Sequence, residues 1–369
     1  MPGRREEPWR GTWSADSIAL LPQAFPIGQA GLVSTWIVLR WARLHCPCFG
    51  TRLLGMKRRK DRALRKGAEE RKLTPDTTGE AGENKGRRVS KLPFSGVSVE
   101  TAGLPPGSAR YIGDVEPTLA TFSLYSYDEG SAVMRIPEDL NELLALVDLS
   151  VNNWININGL SGGSVEKLCS MIGIHPLVVE DILNTEHRPK LENFDDYLFL
   201  ITKMLAEHED GSIEYEQVSF ILKGRLLISF QERPGDCFKG VRDRIMSGVG
   251  RLRKLGADYL LYALVDNIVD NYFVVLEGLG DRLEDFEGSA VSEDDGTYLH
   301  GLQELKRELA RMRRVIWPVR DSIGALSRND SVQLDPSLSP YLRDLYENTV
   351  QAIEALESYR EHVGSIIEL

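Results

Sequence analysis

From Gly256 onward the chain changes texture, and this change constrains the fold more than any other feature. Between Asp258 and Phe286, apolar residues recur at steps of three and four: Leu260, Leu261, Leu264, Ile268, Tyr272, Val275, Leu276, Leu279 and Leu283. That is the period of a helix with one buried face. Ser289 to Gly296 reads as a turn. Leu299 to Leu326 is then a second helix, rich in Lys306, Arg307, Arg311, Arg313, Arg314 and Arg320. Two long helices joined by a short turn make an antiparallel hairpin. Asp335-Pro336 opens a third helix, whose stripe of Tyr341, Leu342, Leu345, Tyr346, Thr349, Ile353, Leu356, Val363, Ile366 and Ile367 is still running near Leu369.

Upstream of Gly256 the elements are short. Leu104-Pro105-Pro106-Gly107 is a turn signal. Tyr111 to Val115, Leu119 to Tyr125 and Asn153 to Ile157 read as strands, the last alternating polar and apolar as a half-buried strand does. Pro137 to Val147 and Val165 to Ile172 read as helices, the second capped by Ser164. Tyr197 to Leu205, Glu214 to Leu222 and Arg225 to Phe230 form three strands with tight links, hence antiparallel neighbours. Cys237 to Val249 is helical. Strands flanked by helices predict a layered α/β/α sandwich with a mixed sheet, followed by the helical hairpin and a final stalk helix. The expected organisation is a basic, disordered extension over 1–105, the sandwich over 106–250, the hairpin over 251–330 and the stalk over 331–369.

Charge divides along the same line. Residues 1–91 carry 19 Lys and Arg against 9 Asp and Glu, while the remainder carries 25 against 46. The folded part is therefore strongly acidic, which disfavours nucleic acid and gathers cations. The basic run from Lys57 to Lys72 reads either as a solvated tail or as a patch for nucleic acid or an anionic membrane face. A start of translation at Met56 is expected, leaving residues 1–55 outside the protein. Four cysteines are too few for a disulfide scaffold, and Cys46 and Cys48 form a lone C-x-C pair. Tyr259 to Leu276 is the nearest approach to a membrane span, but Asp266 and Asp270 interrupt it, which predicts a helix outside the bilayer. The six histidines make no catalytic or zinc-binding pair, and no glycine-rich phosphate loop follows a strand.

Carboxylates remain. Gly173-Ile174-His175-Pro176-Leu177-Val178-Val179-Glu180-Asp181-Ile182-Leu183-Asn184 reads as a short helix, with Pro176 at its first position. Glu180 and Asp181 stand at its far end, where the helix dipole disfavours negative charge, so a cation there would be stabilising. Asp258, Tyr262, Asp266 and Asp270 lie four residues apart and stack along one stripe of the long helix. Glu277, Asp281, Glu284, Asp285 and Glu287 continue the acidity. Pairing of this last group with the basic second helix competes with cation binding.

The GIHPLVVEDILN stretch with Arg188-Pro189-Lys190 resembles the signature of the CorA family of magnesium and cobalt transport proteins. Four more blocks fit that family in order: Trp154-Ile155-Asn156-Ile157 with Gly159-Leu160; Glu216-Gln217-Val218-Ser219; Asp258-Tyr259-Leu260-Leu261-Tyr262 with Asp266; and Ile316-Trp317-Pro318-Val319-Arg320. The resemblance runs from about Leu104 to Leu369. It implies the cytoplasmic magnesium-sensing domain of a divalent-cation transporter at the cell's inner membrane, not an enzyme. It also implies a homo-oligomer, a pentamer in the full-length protein, with magnesium, cobalt or another dication bound between subunits so that the closed state is favoured. Position by position it assigns the metal to Glu180, Asp181, Asp266, Asp270 and Asp344. Asp181 and Asp344 form the favoured pair, one from the sandwich and one from the final helix. The family continues into membrane helices with a Gly-Met-Asn motif, and this sequence stops before either. Asn348 stands where the family can carry a His. Three rivals are a zinc- or proton-linked transporter of the same superfamily, a soluble metal-dependent hydrolase, and a structural interaction module with a coiled-coil tail.

Overall fold

A computed structural model describes residues 105–113, 115–289, 295–328 and 333–368. The basic extension expected over 1–105 lies outside them except for Pro105, as do Cys46, Cys48 and Met56. One sheet of seven strands organises the first half: β1 (Thr121–Tyr127), β2 (Ala132–Arg135), β3 (Asn152–Asn158), β4 (Lys190–Asn193), β5 (Leu198–Glu207), β6 (Ile213–Lys223) and β7 (Leu226–Gln231). Their spatial order is β2-β1-β3-β7-β6-β5-β4. Only the β3–β7 pair is parallel, so the sheet is mixed as expected.

Helices α1 (Leu140–Leu146), α2 (Gly162–Met171) and α3 (Pro176–Leu183) cover one face. Leu124, Ile155, Ile157, Phe199, Ile221 and Ile228 meet them there in one core. The other face belongs to α4 (Lys239–Ser247) and α5 (Ala257–Ser289). Trp154, Leu200, Phe220 and Leu227 pack there with Phe238, Leu264, Ile268 and Tyr272. Strand period two sorts these side chains alternately to the two faces. Each fully buried large apolar side chain contributes about 1.5–3 kcal/mol.

Because β3 lies between β1 and β7 with helices on both sides, it is buried in all but its last residue rather than half-exposed. Its polar residues are satisfied internally. Trp154 Nε1 donates to Ser229 Oγ at 2.9 Å, and that hydroxyl donates to Asn156 Oδ1 at 2.6 Å. Asn153 Nδ2 donates to the Asp148 and Val151 carbonyls at 2.8 and 3.0 Å.

Helices α5 and α6 (Asp295–Ser327) succeed one another, and α7 (Ser339–Glu368) follows a short 3₁₀ turn at Pro336–Leu338. In that turn Asp335 accepts from Ser337 N at 2.8 Å. Helix α7 packs along both α5 and α6, and α6 also lies against β4. Charge pairing between α5 and α6, the alternative to cation binding, is not what the structure shows. None of the described ion pairs joins them: Glu287 pairs with His362 of α7 at 2.5 Å and Arg313 with Glu357 of α7 at 2.5 Å. The apolar stripe of α7 lies between its neighbours and takes the pairing with it. Helix α5 has the length and composition of a membrane span, yet most of that stretch is buried within the fold.

Several local expectations also shift. Among the described residues of 111–115 none forms a strand; Ile112 makes one isolated bridge to Asn184. Ser161, not Ser164, precedes α2, because Gly162 and Gly163 join its first turn.

Candidate metal centre

The short signature helix is built as its sequence implies. His175 Nδ1 accepts from Leu177 N at 3.2 Å, Pro176 opens the helix, and Val178, Val179, Ile182 and Leu183 are buried. Its two carboxylates have separate duties. Glu180 Oε2 accepts from the backbone N–H of Gly107 at 2.6 Å, so it fastens the entry loop to the helix. Gly107 has φ +80°, and a Cβ there would stand 2.9 Å from Pro176 Cβ. Only glycine fits that conformation and that approach.

Asp181 is held by basic side chains of the same chain. Its Oδ2 lies 2.7 Å from Lys190 Nζ, and its Oδ1 lies 3.3 Å from His187 Nε2. Lys190 also reaches Glu192 Oε1 at 2.8 Å. Burial works against the Lys190 charge, but hydrogen bonds to Asp181 and Glu192 outweigh it and raise its pKa. The helix-end cost expected of Asp181 is thus relieved by a lysine nine residues downstream. Lys190 lies beside an open groove of about 290 Å³ between β4 and α6, lined by Arg188, Pro189, Leu191, Pro318, Asp321, Ser322 and Ala325. Two of the ordered sequence blocks therefore meet there.

Behind α3 lies a buried polar network that the sequence reading missed. Gln217 Nε2 donates to the Asp181 and Ile182 carbonyls at 3.0 and 3.4 Å, taking up the carbonyls the helix end leaves open. Lys203 is buried and donates to the Thr185 carbonyl at 2.5 Å. Glu232 Oε1 accepts from Gln217 N at 3.3 Å, and Glu232 Oε2 accepts from the Tyr111 hydroxyl at 3.2 Å. Glu216 Oε1 accepts from Glu232 N and Arg233 N at 2.9 and 3.2 Å. Burial, reinforced by the charge of Glu232, pushes Glu216 up to about 8. Burial also raises Glu232, against the pull of the Lys203 ammonium. The available signal was a lysine inside an otherwise apolar strand, since a buried charge demands partners.

The other predicted carboxylates lie elsewhere. Asp266 and Asp270 on α5 are half-buried, and Asp344 on α7 is exposed. All three act on Tyr262, whose phenol is raised by burial first and then by these charges and Tyr259. The rings of Tyr259, Tyr262 and Tyr341 cluster at 5.3–5.4 Å between centroids. Asn348 Nδ2 donates to Asp344 Oδ2 at 3.4 Å. Asp258, first in the helical stripe, is structural: its Oδ2 accepts from Asp335 N at 2.9 Å. The structure brings Asp266, Asp270 and Asp344 into one neighbourhood and leaves Glu180 and Asp181 out of it. Among the described residues, no three His, Cys, Asp or Glu side chains converge on a point that would hold an ion. The candidate side chains are all carboxylates, the oxygen donors that hard dications take.

A mixed α/β sandwich carrying long helices thus holds the candidate carboxylates on two separate surfaces. Residues 150–369 match the family described as CorA-like Mg2+ transporter protein. The cobalt/magnesium transport protein CorA of Thermotoga maritima is 36% identical over 273 residues, covering 72% of this chain and 76% of that one. The solved soluble domain of CorA from Methanocaldococcus jannaschii superposes with a TM-score of 0.58 at 20% identity, over 69% of this chain and 98% of that one. The ZntB cytoplasmic domain from Vibrio parahaemolyticus superposes with a TM-score of 0.55 at 18% identity, over 67% and 96%. These two structures share the fold. The chain belongs to the CorA-like divalent-cation transporter family, whose named members are transporters, not enzymes.

Proposed function

We propose that this chain is the cytoplasmic, magnesium-sensing part of a CorA-like transporter for magnesium and cobalt. Asp181 of one copy and Asp344 of the next hold a hydrated dication between them in a homo-oligomer, a pentamer on the family likeness. Asp266 and Asp270 border that site, and Glu180 serves the loop beside it. The observation that carries this reading is the split of the carboxylates between two surfaces. Asp181 contacts Lys190 and His187 and none of the other candidates, so a second carboxylate ligand for its ion would come from another copy. Residues 92–369 are strongly acidic, so adjoining copies repel until a dication neutralises them. Bound ion then favours the closed assembly, and its loss frees the subunits, because a ligand shifts an equilibrium only through its preference for one state. The organisation proposed is a sandwich over 106–250, a hairpin over 251–330 and a stalk over 331–369 that leads towards the membrane.

Magnesium chloride titrations of the 369-residue chain test this, followed by thermal melting and sedimentation. A hundredfold excess over the dissociation constant stabilises by about 2.7 kcal/mol, or roughly 3–5 °C for a chain of this size. Asp181→Ala and Asp344→Ala each weaken the response. An equimolar mixture of the two variants recovers part of the association, because some interfaces in it pair an intact Asp181 with an intact Asp344. Melting and sedimentation unchanged by magnesium in every protein would refute the reading.

A further inference from the structure

The cation that already holds Asp181 belongs to the chain itself, and its surroundings are those of a displaceable group. Lys190 and Glu192 are two residues apart on β4, so both side chains leave the strand on the same side. Pairing of Lys190 with Ile201 and of Glu192 with Phe199 fixes the backbone beneath them. The ammonium sits between two carboxylates, 2.7 Å from Asp181 and 2.8 Å from Glu192. It is neither sealed in nor fully solvated, with 24% of the side chain exposed and the open groove at its flank.

We propose that Lys190 is a tethered counter-ion that occupies Asp181 in the ion-free protomer and is displaced onto Glu192 when a dication binds. This rests on the reading of Asp181 as a ligand. Two cations on one carboxylate repel each other, and the repulsion rises as water is excluded. An arriving dication therefore either displaces the ammonium or binds weakly beside it. Glu192 lowers the cost of displacement, because the lysine keeps one of its two partners. The device has two consequences. It protects the helix-end carboxylate from being left unpaired when magnesium is scarce. It also sets a threshold, since the ion must exceed a fixed internal competitor before the interface closes.

Magnesium titrations of the whole chain by calorimetry, at constant ionic strength, compare the native protein with four variants. Lys190→Gln tightens magnesium by roughly twofold to fivefold, the range expected for removing a partly exposed pair. Lys190→Arg retains a competing cation and keeps the native constant within about twofold. Glu192→Gln leaves the ammonium no second host and weakens magnesium by roughly twofold to fivefold. Asp181→Asn abolishes the response. If Asp181→Asn binds magnesium like the native chain, the site assignment itself fails. If Asp181→Asn loses the response but Lys190→Gln binds no more tightly than native, the assignment stands and the counter-ion proposal is overturned. Should Lys190→Gln fail to fold by circular dichroism, the Glu192→Gln arm decides alone. Unweakened magnesium binding there overturns the proposal.

Discussion

Replacing Glu216 by Gln should stabilise the protein in alkaline solution and leave it unchanged in acid. Glu216 is 4% exposed, and burial raises its pKa from an ordinary 4.5 to about 8. Below pH 4.5 both the folded and unfolded chains hold the proton, so the group is neutral in its pocket at no cost. Between 4.5 and 8 the folded chain keeps a proton that the unfolded chain has released. Stability therefore falls as pH rises, by up to 1.36 kcal/mol per pH unit. Across the whole interval this amounts to about 5 kcal/mol, and to about 3 kcal/mol by pH 7. Both backbone bonds to Glu216 arrive at Oε1, so Gln keeps them and loses only the charge that burial opposes. Urea unfolding followed by circular dichroism at pH 5, 7 and 9 measures the difference between the two proteins. The variant should exceed the native chain by less than about 1 kcal/mol at pH 5 and by several kcal/mol at pH 9. Parallel curves with a constant offset would refute the assignment, because a raised Glu216 pKa makes the difference between the two proteins grow with pH.

Further outcomes follow from the same network and its edges. Lys203→Met removes the buried ammonium from Glu232 and from the Thr185 carbonyl, and should cost about 3–5 kcal/mol by urea unfolding. Gly107→Ala forces a side chain into a φ of +80° and against Pro176, and should cost about 1–2 kcal/mol by the same assay.

The long helices and the three central strands were legible because their signals are local and repeated. Leu260 through Leu283 mark one helical face over many turns, and short links leave β5, β6 and β7 no choice but antiparallel pairing. Strands β2 and β4 were not legible. Lys190-Leu191-Glu192-Asn193 has one apolar residue in four, and it becomes a strand only because β5 offers it an open edge. The partner of α6 was left open for a related reason. Opposite charges on α5 and α6 suggested mutual pairing, whereas the apolar stripe of α7 takes Arg313 and Glu287 to its own side chains.

At the candidate centre, Glu180 and Asp181 were correctly placed at the end of α3 and Pro176 at its start. Their partners were hidden by distance along the chain. Gly107 lies 73 residues before Glu180, and Lys190 reaches Asp181 only because the turn after α3 folds back onto β4. The lysine was visible within the signature, but nothing in its spacing revealed a carboxylate on either side. Lys203, Gln217 and Glu232 interact across separate strands, and no periodicity reports such contacts.

The central claim is that Asp181 of one copy and Asp344 of another share a dication. Anomalous diffraction from crystals of the whole chain grown in cobalt chloride tests it most directly. The account predicts an anomalous peak between those two carboxylates of neighbouring copies, with the Lys190 ammonium withdrawn to Glu192. Cobalt absent from that position, with Asp181 still paired to Lys190 and remote from every Asp344, would contradict it.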